Sequence, residues 1–446
     1  MLPAGGSGWG GRDAFWEITM TKSYENTGQT QVQIEVLVVL AILVSLGFPG
    51  GLTEIYGTRL GDIMEYGAFF IQLLVMALSS GKSWQDIQVV NLDKKYVMLY
   101  VFAAVIFLES MMVTRYRSLQ FITCTRLWVT IFFAIWVQER FSFARVIELI
   151  CTAQAVFVFF ILAFILRHPQ AAFESGSTYV NALKGLYPSK NSMASELAFG
   201  ILVMAFLVRE KRKSRKGYSL WMTILLIQGI LMILCQATGA VFGMAAALIL
   251  LFLPEDMRLP LGWAYIGGSI TFLFAALTLM PHLEWFFRAI GKDATLTGRI
   301  PLWNRILVVM MNHHTFTGYG YGMFWRDSQA IALIHAGFHE HSFLGTMTTG
   351  AHNMLLEFWL NSGLMGIAAF FAALLYSTRE SAAIPQKTYL FASMLLMYLM
   401  INGLTERCLG GNYDYKTLSV FLVMALCNNR REHGEKKTKE KEFGKM

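Results

Sequence analysis

Long apolar segments alternate with short polar ones along most of this chain. Because about 20 helical residues cross a hydrocarbon core about 30 Å thick, segments of this kind predict transmembrane helices. We count about twelve, over residues 34–48, 61–79, 96–113, 119–137, 146–166, 192–208, 218–234, 237–253, 262–280, 354–376, 387–402 and 415–426. Several are short, and only residues 235–239 separate the seventh from the eighth. Reading those two as one helix would reverse the topology of everything that follows.

Composition agrees with this pattern. The 446 residues are 55% hydrophobic, 14% aromatic and only 15% charged, which predicts an all-α polytopic membrane protein. The net charge of +8 follows membrane topology, and no basic soluble region with interleaved aromatic residues suggests a nucleic-acid partner.

Lysine and arginine set the expected orientation, since short cytoplasmic loops are enriched in both. The basic runs at 209–216 and 430–441 predict that both termini are cytoplasmic, which places the polar segments 167–191, 281–352 and 402–416 outside. The basic loop 114–117 also falls outside, either as an exception or as a site that faces an anion.

These signals divide the chain into five parts. We expect a cytoplasmic leader, nine helices, a large outer loop, three helices and a basic cytoplasmic tail, over residues 1–33, 34–280, 281–352, 353–428 and 429–446. The large outer loop, residues 281–352, is the main polar interruption in an otherwise apolar chain and is therefore the expected catalytic part.

Arg299 opens a predicted amphipathic helix in this loop. Pro301 falls in the first turn, where its missing N–H is tolerated. The apolar stripe, formed by Leu302, Trp303, Ile306, Leu307 and Met310, predicts a helix that lies on the membrane surface. Arg299 would then project from a helix N-terminus, where a guanidinium and free N–H groups bind a diphosphate. The alternative is that Arg299 only contacts lipid headgroups.

His352 and Asn353 directly precede the apolar run that begins at Met354. This position predicts a histidine at the outer mouth of a transmembrane helix, where the helix dipole favours the neutral imidazole that a general base needs. The alternative is a histidine that only caps the helix at the membrane interface.

Other residues of the large outer loop carry weaker signals. His335 and His339 would share a face if they lay on one helix, and with His341 they are a candidate metal site, although the glycines nearby disfavour a rigid helix. The Gly318-Tyr-Gly-Tyr-Gly322 segment predicts a tight aromatic turn, and Tyr319 and Tyr321 are candidates for stacking on sugar rings.

The absence of several sequence motifs restricts the chemical class of activated donor that the loop could use. It has no dinucleotide or P-loop glycine pattern and no Asp-x-Asp pair of the kind that holds a cation for a nucleotide sugar. Since nucleotides are cytosolic and the loop is expected outside, an activated donor there would be a lipid diphosphate. We therefore predict no cofactor and no metal.

Several segments resemble the O-antigen ligase and polysaccharide polymerase superfamily, in particular its exopolysaccharide-polymerase-like branch. The resemblance rests on five motifs spread over about half of the chain, in the expected order: Gly185-Leu-Tyr-Pro-Ser-Lys-Asn191, Gly291-Lys-Asp-Ala-Thr-Leu-Thr-Gly-Arg-Ile-Pro-Leu-Trp303, Thr317-Gly-Tyr-Gly-Tyr-Gly-Met-Phe-Trp325, Ala351-His-Asn-Met-Leu-Leu-Glu-Phe-Trp-Leu-Asn-Ser-Gly-Leu-Met-Gly366 and Asn402-Gly-Leu-Thr-Glu406. Ile300 departs from the pattern, since many relatives have threonine or serine there.

The resemblance implies a metal-independent, GT-C-like membrane glycosyltransferase in the bacterial cytoplasmic membrane. It would take a glycan from a polyprenyl (undecaprenyl) diphosphate carrier and transfer it to a glycan or lipid acceptor at the outer face. By motif position, His352 would be the base, and Arg299 and Lys190 would neutralise the diphosphate leaving group. The expected substrate-binding residues are Asn191, Thr297, Tyr319, Tyr321, Asn353 and Glu406.

Two related functions share these motifs. A polymerase moves the growing chain onto the next lipid-linked repeat and would work with a chain-length regulator, whereas a ligase moves the finished chain onto a lipid core, protein or wall acceptor. The Thr-Leu-Thr-Gly-Arg form favours the polymerase. A transporter or flippase of lipid-linked saccharide is the alternative of another class, and its usual signs, inverted repeats and Gly/Pro-broken helices, are not evident in the sequence.

Overall fold

The computed structural model of the chain describes a largely helical molecule. It covers residues 31–46, 58–79, 93–175, 180–212, 217–252, 258–279, 298–339, 350–407 and 415–428, together with residues 282, 285, 344 and 409. Within these residues the α-helices are α1 (Gln31–Ser45), α2 (Thr58–Ser79), α3 (Val97–Val113), α4 (Arg117–Arg140), α5 (Phe143–Arg167), α6 (Pro169–Ala172), α7 (Lys190–Lys211), α8 (Tyr218–Leu234), α9 (Thr238–Ile249), α10 (Leu261–Thr278), α11 (Arg299–Asn312), α12 (Ser328–His335), α13 (Met354–Thr378), α14 (Gln386–Gly403) and α15 (Tyr415–Asn428).

One small element is absent from the sequence prediction. Strands β1 (Phe173–Ser175) and β2 (Val180–Leu183) form an antiparallel pair in the segment between α6 and α7, with Phe173 opposite Leu183. The pair is too short to carry a hydrophobic face of its own, and it leads directly into the start of α7.

The helices are those of an all-α membrane protein. Among the described residues, six are long and apolar enough to cross a membrane, and five more are apolar but shorter. Large apolar side chains face outward along them, for example Ile230, Phe242 and Phe274, each at least 60% exposed. Each of the twelve predicted apolar segments overlaps one of these helices or α14. The number that spans a bilayer stays a prediction.

Contacts between the connecting segments divide them into two groups. In the first group, the ion pair Glu35–Arg145 joins the starts of α1 and α5. Three more ion pairs join the starts of α3, α5 and α14 to the ends of α4 and α7, namely Lys95–Glu139, Glu148–Lys211 and Glu210–Lys387. In the second, hydrogen bonds join the end of α1 to the segment before α7, the start of α7 to the end of α8, and the start of α13 to the end of α14, through Tyr187–Leu46, Lys190–Gln236 and Asn353–Leu404. Helices that run up and down the bundle in turn produce this alternation.

The large outer loop builds a hydrophobic core of its own, which we call the cap core. The face of α11 that carries Trp303 packs against α10, α12 and the start of α13, and the ring of Phe272 lies 6.5 Å from that of Trp303. The predicted stripe is confirmed as the buried face, with Leu307 only partly buried. The expectation that this stripe lies on the membrane is wrong, because it is buried against protein.

Helix α13 is broken near its first third. Ser362 and Gly363 leave the helical conformation, and Gly363 has φ of 55°. The loop after α11 lies against this break, where Leu364 N–H donates to Thr315 O at 3.0 Å and Met365 N–H donates to Phe316 O at 3.0 Å. A broken helix is therefore present where the sequence suggested none. Two of the backbone N–H groups after the break, those of Leu364 and Met365, are thus hydrogen-bonded by the loop.

Candidate functional site

His352 lies at the start of α13 in a strained backbone conformation. Its φ of 48° is in the left-handed region, which non-glycine residues seldom adopt. Asn353 is the N-cap of α13, and its side-chain oxygen accepts from Leu356 N–H at 3.1 Å. His352 directly precedes this helix, as predicted, and the alternative that the histidine itself caps the helix is wrong, because the cap is Asn353.

The turn that carries His352 is fixed from three sides. Trp303 Nε1 donates to Ala351 O at 2.8 Å, and Ala351 N–H donates to Glu357 Oε2 at 2.7 Å. Asn353 Nδ2 donates to Leu404 O at 3.1 Å and ties the turn to the segment after α14. Strained backbone persists where surrounding contacts determine it, and here they place one histidine between α11, α13 and α14.

Glu357 is the buried centre of this arrangement, and sequence reasoning assigned it no role. Its side chain is nearly inaccessible, and Oε2 also accepts from Trp325 Nε1 at 3.1 Å. A buried carboxylate is costly unless it is paired and hydrogen-bonded, so its donors are part of its stability. Its sequence signal was an acidic residue at the first turn of an otherwise apolar helix.

Arg299 is the first residue of α11, as predicted. Gly298 precedes it with φ of 81° and allows the chain to turn into the helix. Arg299 Nη2 forms an ion pair of 2.9 Å with Glu406 Oε1, and both side chains are less than 20% exposed. The structure thus brings together two predicted residues that are 107 positions apart in the chain.

Glu406 joins this arginine to the histidine. It lies in the turn after α14, where its backbone N–H donates to Asn402 O at 2.9 Å. Its second carboxylate oxygen, Oε2, lies 3.6 Å from His352 Nδ1. Burial raises the pKa of Glu406, but the contact with His352 and the charges of Arg299 and Lys416 outweigh it and lower the pKa to about 2. Glu406 is therefore ionised at neutral pH.

Two further cations lie beside this cluster, and sequence reasoning gave neither a role of its own. Lys416, in the first turn of α15, is buried and donates from Nζ to Arg407 O at 3.0 Å. The side chain of Arg407 lies against Gly350, and its charge acts on Glu357. We call the set Arg299, His352, Glu406, Arg407 and Lys416 the outer cluster.

Lys190 lies at the same end of the bundle. It is the first residue of α7, is largely buried and donates from Nζ to Gln236 O at 3.2 Å. Further along α7, Ser195 accepts a hydrogen bond of 3.0 Å from Asn402, whose carbonyl group holds Glu406. The start of α7 therefore stands beside the turn that carries Glu406. Asn191 follows Lys190 and is half-buried.

The two predicted sugar-stacking tyrosines are placed differently from the outer cluster. Tyr321 is fully buried and packs edge-on against Phe358, with ring centroids 6.3 Å apart. Tyr319 donates its N–H to Leu360 O at 3.0 Å beside the break in α13. Gly318 lets the chain approach, since a Cβ there would lie 2.6 Å from Gly363 N. The predicted tight turn is confirmed, and it docks the large outer loop on α13.

Thr297 and His341 lie outside the described residues. His335 and His339 do not share a helical face, as the nearby glycines suggested, because α12 ends at His335. Within the described ranges, three or more His, Cys, Asp or Glu side chains nowhere come together as a metal site would require.

The outer cluster has the parts of a base beside an anion site. His352 Nδ1 is buried 3.6 Å from Glu406 Oε2, just beyond hydrogen-bonding distance, while 39% of the side chain is exposed and can meet a substrate. A carboxylate on this side of the ring favours the tautomer with its proton on Nδ1, which leaves Nε2 able to accept a proton. The three cations Arg299, Arg407 and Lys416 outnumber the acidic groups of Glu406 and Glu357, so the site favours an anion.

No protein-family model matches this chain, and no curated protein matches its sequence. The helices make it an all-α membrane protein, and the outer cluster gives it a candidate site at one end of the helical bundle.

Proposed function

We propose that this protein is a bacterial membrane glycosyltransferase that uses a polyprenyl-diphosphate-linked glycan as donor. The observation that carries the proposal is the Arg299–Glu406–His352 arrangement, in which a histidine that can act as a base lies beside a group of cations. The motifs that resemble the O-antigen ligase and polysaccharide polymerase superfamily support the same assignment.

In the proposed reaction, an acceptor hydroxyl oxygen attacks the anomeric carbon of the donor glycan. The bond between that carbon and the diphosphate oxygen breaks, and the polyprenyl diphosphate leaves with the electron pair. His352 Nε2 takes the hydroxyl proton, and the Glu406 carboxylate beside Nδ1 stabilises the imidazolium that forms. Arg299 and Lys190 neutralise the charge that develops on the diphosphate, which is the interaction that matters most when the leaving group is an anion.

The proposed location is the cytoplasmic membrane, with both termini in the cytoplasm and the outer cluster on the outer face. The basic segments at 209–216 and 430–441 support this orientation. The two groups of loop contacts support an alternating path, because Lys211 and Arg145 lie at one end of the bundle and Arg299 lies at the other.

We assign polymerisation of surface polysaccharide repeat units ahead of ligation to a lipid core, because the Thr-Leu-Thr-Gly-Arg299 segment resembles the polymerase branch. In this assignment the acceptor is the next lipid-linked repeat, and a chain-length regulator is the expected partner.

The test is transfer by the purified protein from a lipid-diphosphate-linked oligosaccharide. We expect longer lipid-linked chains, and at least about a 100-fold lower rate with His352→Ala. His313→Ala is the control, since His313 is exposed on the same large outer loop. Movement of intact donor across the membrane without a new glycosidic bond would show a transporter instead. The broken helix α13 favours this second candidate, because broken helices are typical of transporters.

A further inference from the structure

Glu406 occupies a position that an anionic substrate would need. Its carboxylate lies among the guanidinium of Arg299, the imidazole of His352 and the ammonium of Lys416, and it is the acidic side chain in direct contact with both Arg299 and His352. The proposed diphosphate would have to bind the same cations. Either the anion binds elsewhere, or Glu406 gives up part of its contacts.

Arg299 is poorly matched to this carboxylate. Among the described residues its guanidinium contacts Glu406 through one nitrogen, Nη2, although a guanidinium has five N–H donors in a planar fork. A phosphate group accepts two parallel hydrogen bonds from that fork, and such bidentate contacts are the stronger ones. Arg299 can therefore donate more hydrogen bonds to a phosphate group than it donates to Glu406.

Lys416 is also incompletely used. Its side chain is largely buried, yet within the part of the chain that the structure describes its ammonium donates one hydrogen bond, to the carbonyl oxygen of Arg407. An ammonium has three donors, and a buried one is costly when they lack acceptors. The negative charge of Glu406 interacts with the Lys416 ammonium without a hydrogen bond, because Lys416 lowers the pKa of Glu406 by its charge alone.

We propose that Glu406 holds the place of a phosphate group, and that the donor diphosphate displaces its Oε1 atom from Arg299 and takes up the free donors of Lys416. This inference rests on the proposed function and adds Lys416 to the donor site. Glu406 keeps its contact with His352 through Oε2. When the donor binds, Glu406 loses its ion pair with Arg299, and its negative charge then acts mainly on His352. The interaction between Glu406 and His352 is therefore stronger with the donor bound than without it.

The test is calorimetric binding of inorganic pyrophosphate to the full-length protein in detergent. Removing the competing carboxylate with Glu406→Gln should tighten binding by about tenfold, the effect of one ordinary charge contact. Lys416→Met should weaken binding by about tenfold, and Lys416→Arg should restore most of it. Glu210→Gln removes a carboxylate at the opposite end of the bundle, where Glu210 pairs with Lys387, and should change nothing.

The outcomes separate this inference from the proposed function. Unchanged or weaker pyrophosphate binding by Glu406→Gln would overturn the displacement, even if the protein transfers glycan normally. Unchanged binding by Lys416→Met would remove Lys416 from the site, and this variant carries the test if Glu406→Gln does not fold. No binding by the native protein, together with no glycan transfer, would overturn the proposed function itself.

Discussion

Ala351 N–H donates a hydrogen bond of 2.7 Å to Glu357 Oε2, so a buried carboxylate six residues downstream fixes the backbone from which His352 projects. The bond joins the turn before α13 to the first turn of that helix. Trp325 donates to the same oxygen, which ties the large outer loop to this position.

Glu357→Gln should therefore disturb both stability and catalysis. The amide oxygen can accept both hydrogen bonds that Oε2 accepts, but the amide NH2 group then stands at the position of Oε1, to which Asn361 Nδ2 donates at 3.5 Å. Two donors then face each other, and an unsatisfied buried donor costs about 1–3 kcal/mol. We expect a lower unfolding temperature in detergent and a lower kcat with little change in KM for the donor. Glu380→Gln, at an exposed position after α13, is the control. A variant with native kcat would show that Glu357 does not position His352.

Arg299→Lys should separate charge from geometry. Lysine keeps the positive charge but loses the planar fork, and a hydrogen bond to a charged group is worth about 1.5–3 kcal/mol. We expect donor affinity to fall roughly tenfold or more, with a nearly native unfolding temperature. Arg305→Lys is the matched change on the same helix, where Arg305 Nε donates to Leu333 O at 2.9 Å. It should lower stability and leave donor affinity as it is; equal losses of affinity would contradict the assignment.

The stability of the folded protein at acid pH should depend on the ionisation of Glu406. Its pKa is about 2 in the folded protein, below its ordinary value of 4.5, so the ionised form stabilises the fold at neutral pH. This contribution, on the order of 3 kcal/mol, is complete above pH 4.5 and is lost as pH falls toward 2. The difference in unfolding temperature between the native protein and Glu406→Gln should therefore be constant above about pH 5 and shrink below it. A difference that grows in acid would contradict the shift.

Gly363→Ala should disrupt the docking of the large outer loop. Gly363 has φ of 55°, and a Cβ there would overlap the backbone of Phe316 and Thr317. We expect a loss of at least about 2 kcal/mol and faster proteolysis within the loop. Gly267→Ala is the control, because a Cβ at this position in α10 meets nothing within 4 Å. The control should be neutral or stabilising by about 0.5–1 kcal/mol. Equal effects of the two changes would mean that the break does not hold the loop.

Thiol labelling in intact cells tests the orientation. Ser328→Cys, exposed at the start of α12, should react with a membrane-impermeant reagent, whereas Ala383→Cys, exposed between α13 and α14, should not. Both changes belong in a Cys408→Ser background, because Cys124, Cys151, Cys235 and Cys427 are buried. Labelling of Ala383→Cys alone would invert the proposed topology.

The sequence by itself determined where the helices form and which polar residues lie at their starts. Apolar segments about 20 residues long in a weakly charged chain have few alternatives to membrane helices, since only helices satisfy their own backbone in lipid. Local rules also placed Arg299 at the start of α11 and His352 just before α13, because helix-start preferences and apolar runs depend on neighbours in the chain.

Only the tertiary structure decided what these residues contact. An apolar stripe like that of α11 has the same sequence pattern whether it faces lipid or protein. In the folded protein it is buried against α10 and α13. The break at Gly363 depends on hydrogen bonds from a loop almost 50 residues earlier in the chain, which no local rule contains. The pairing of Arg299 with Glu406, and the burial of Glu357 and Lys416, arise because distant helix ends meet at one end of the bundle.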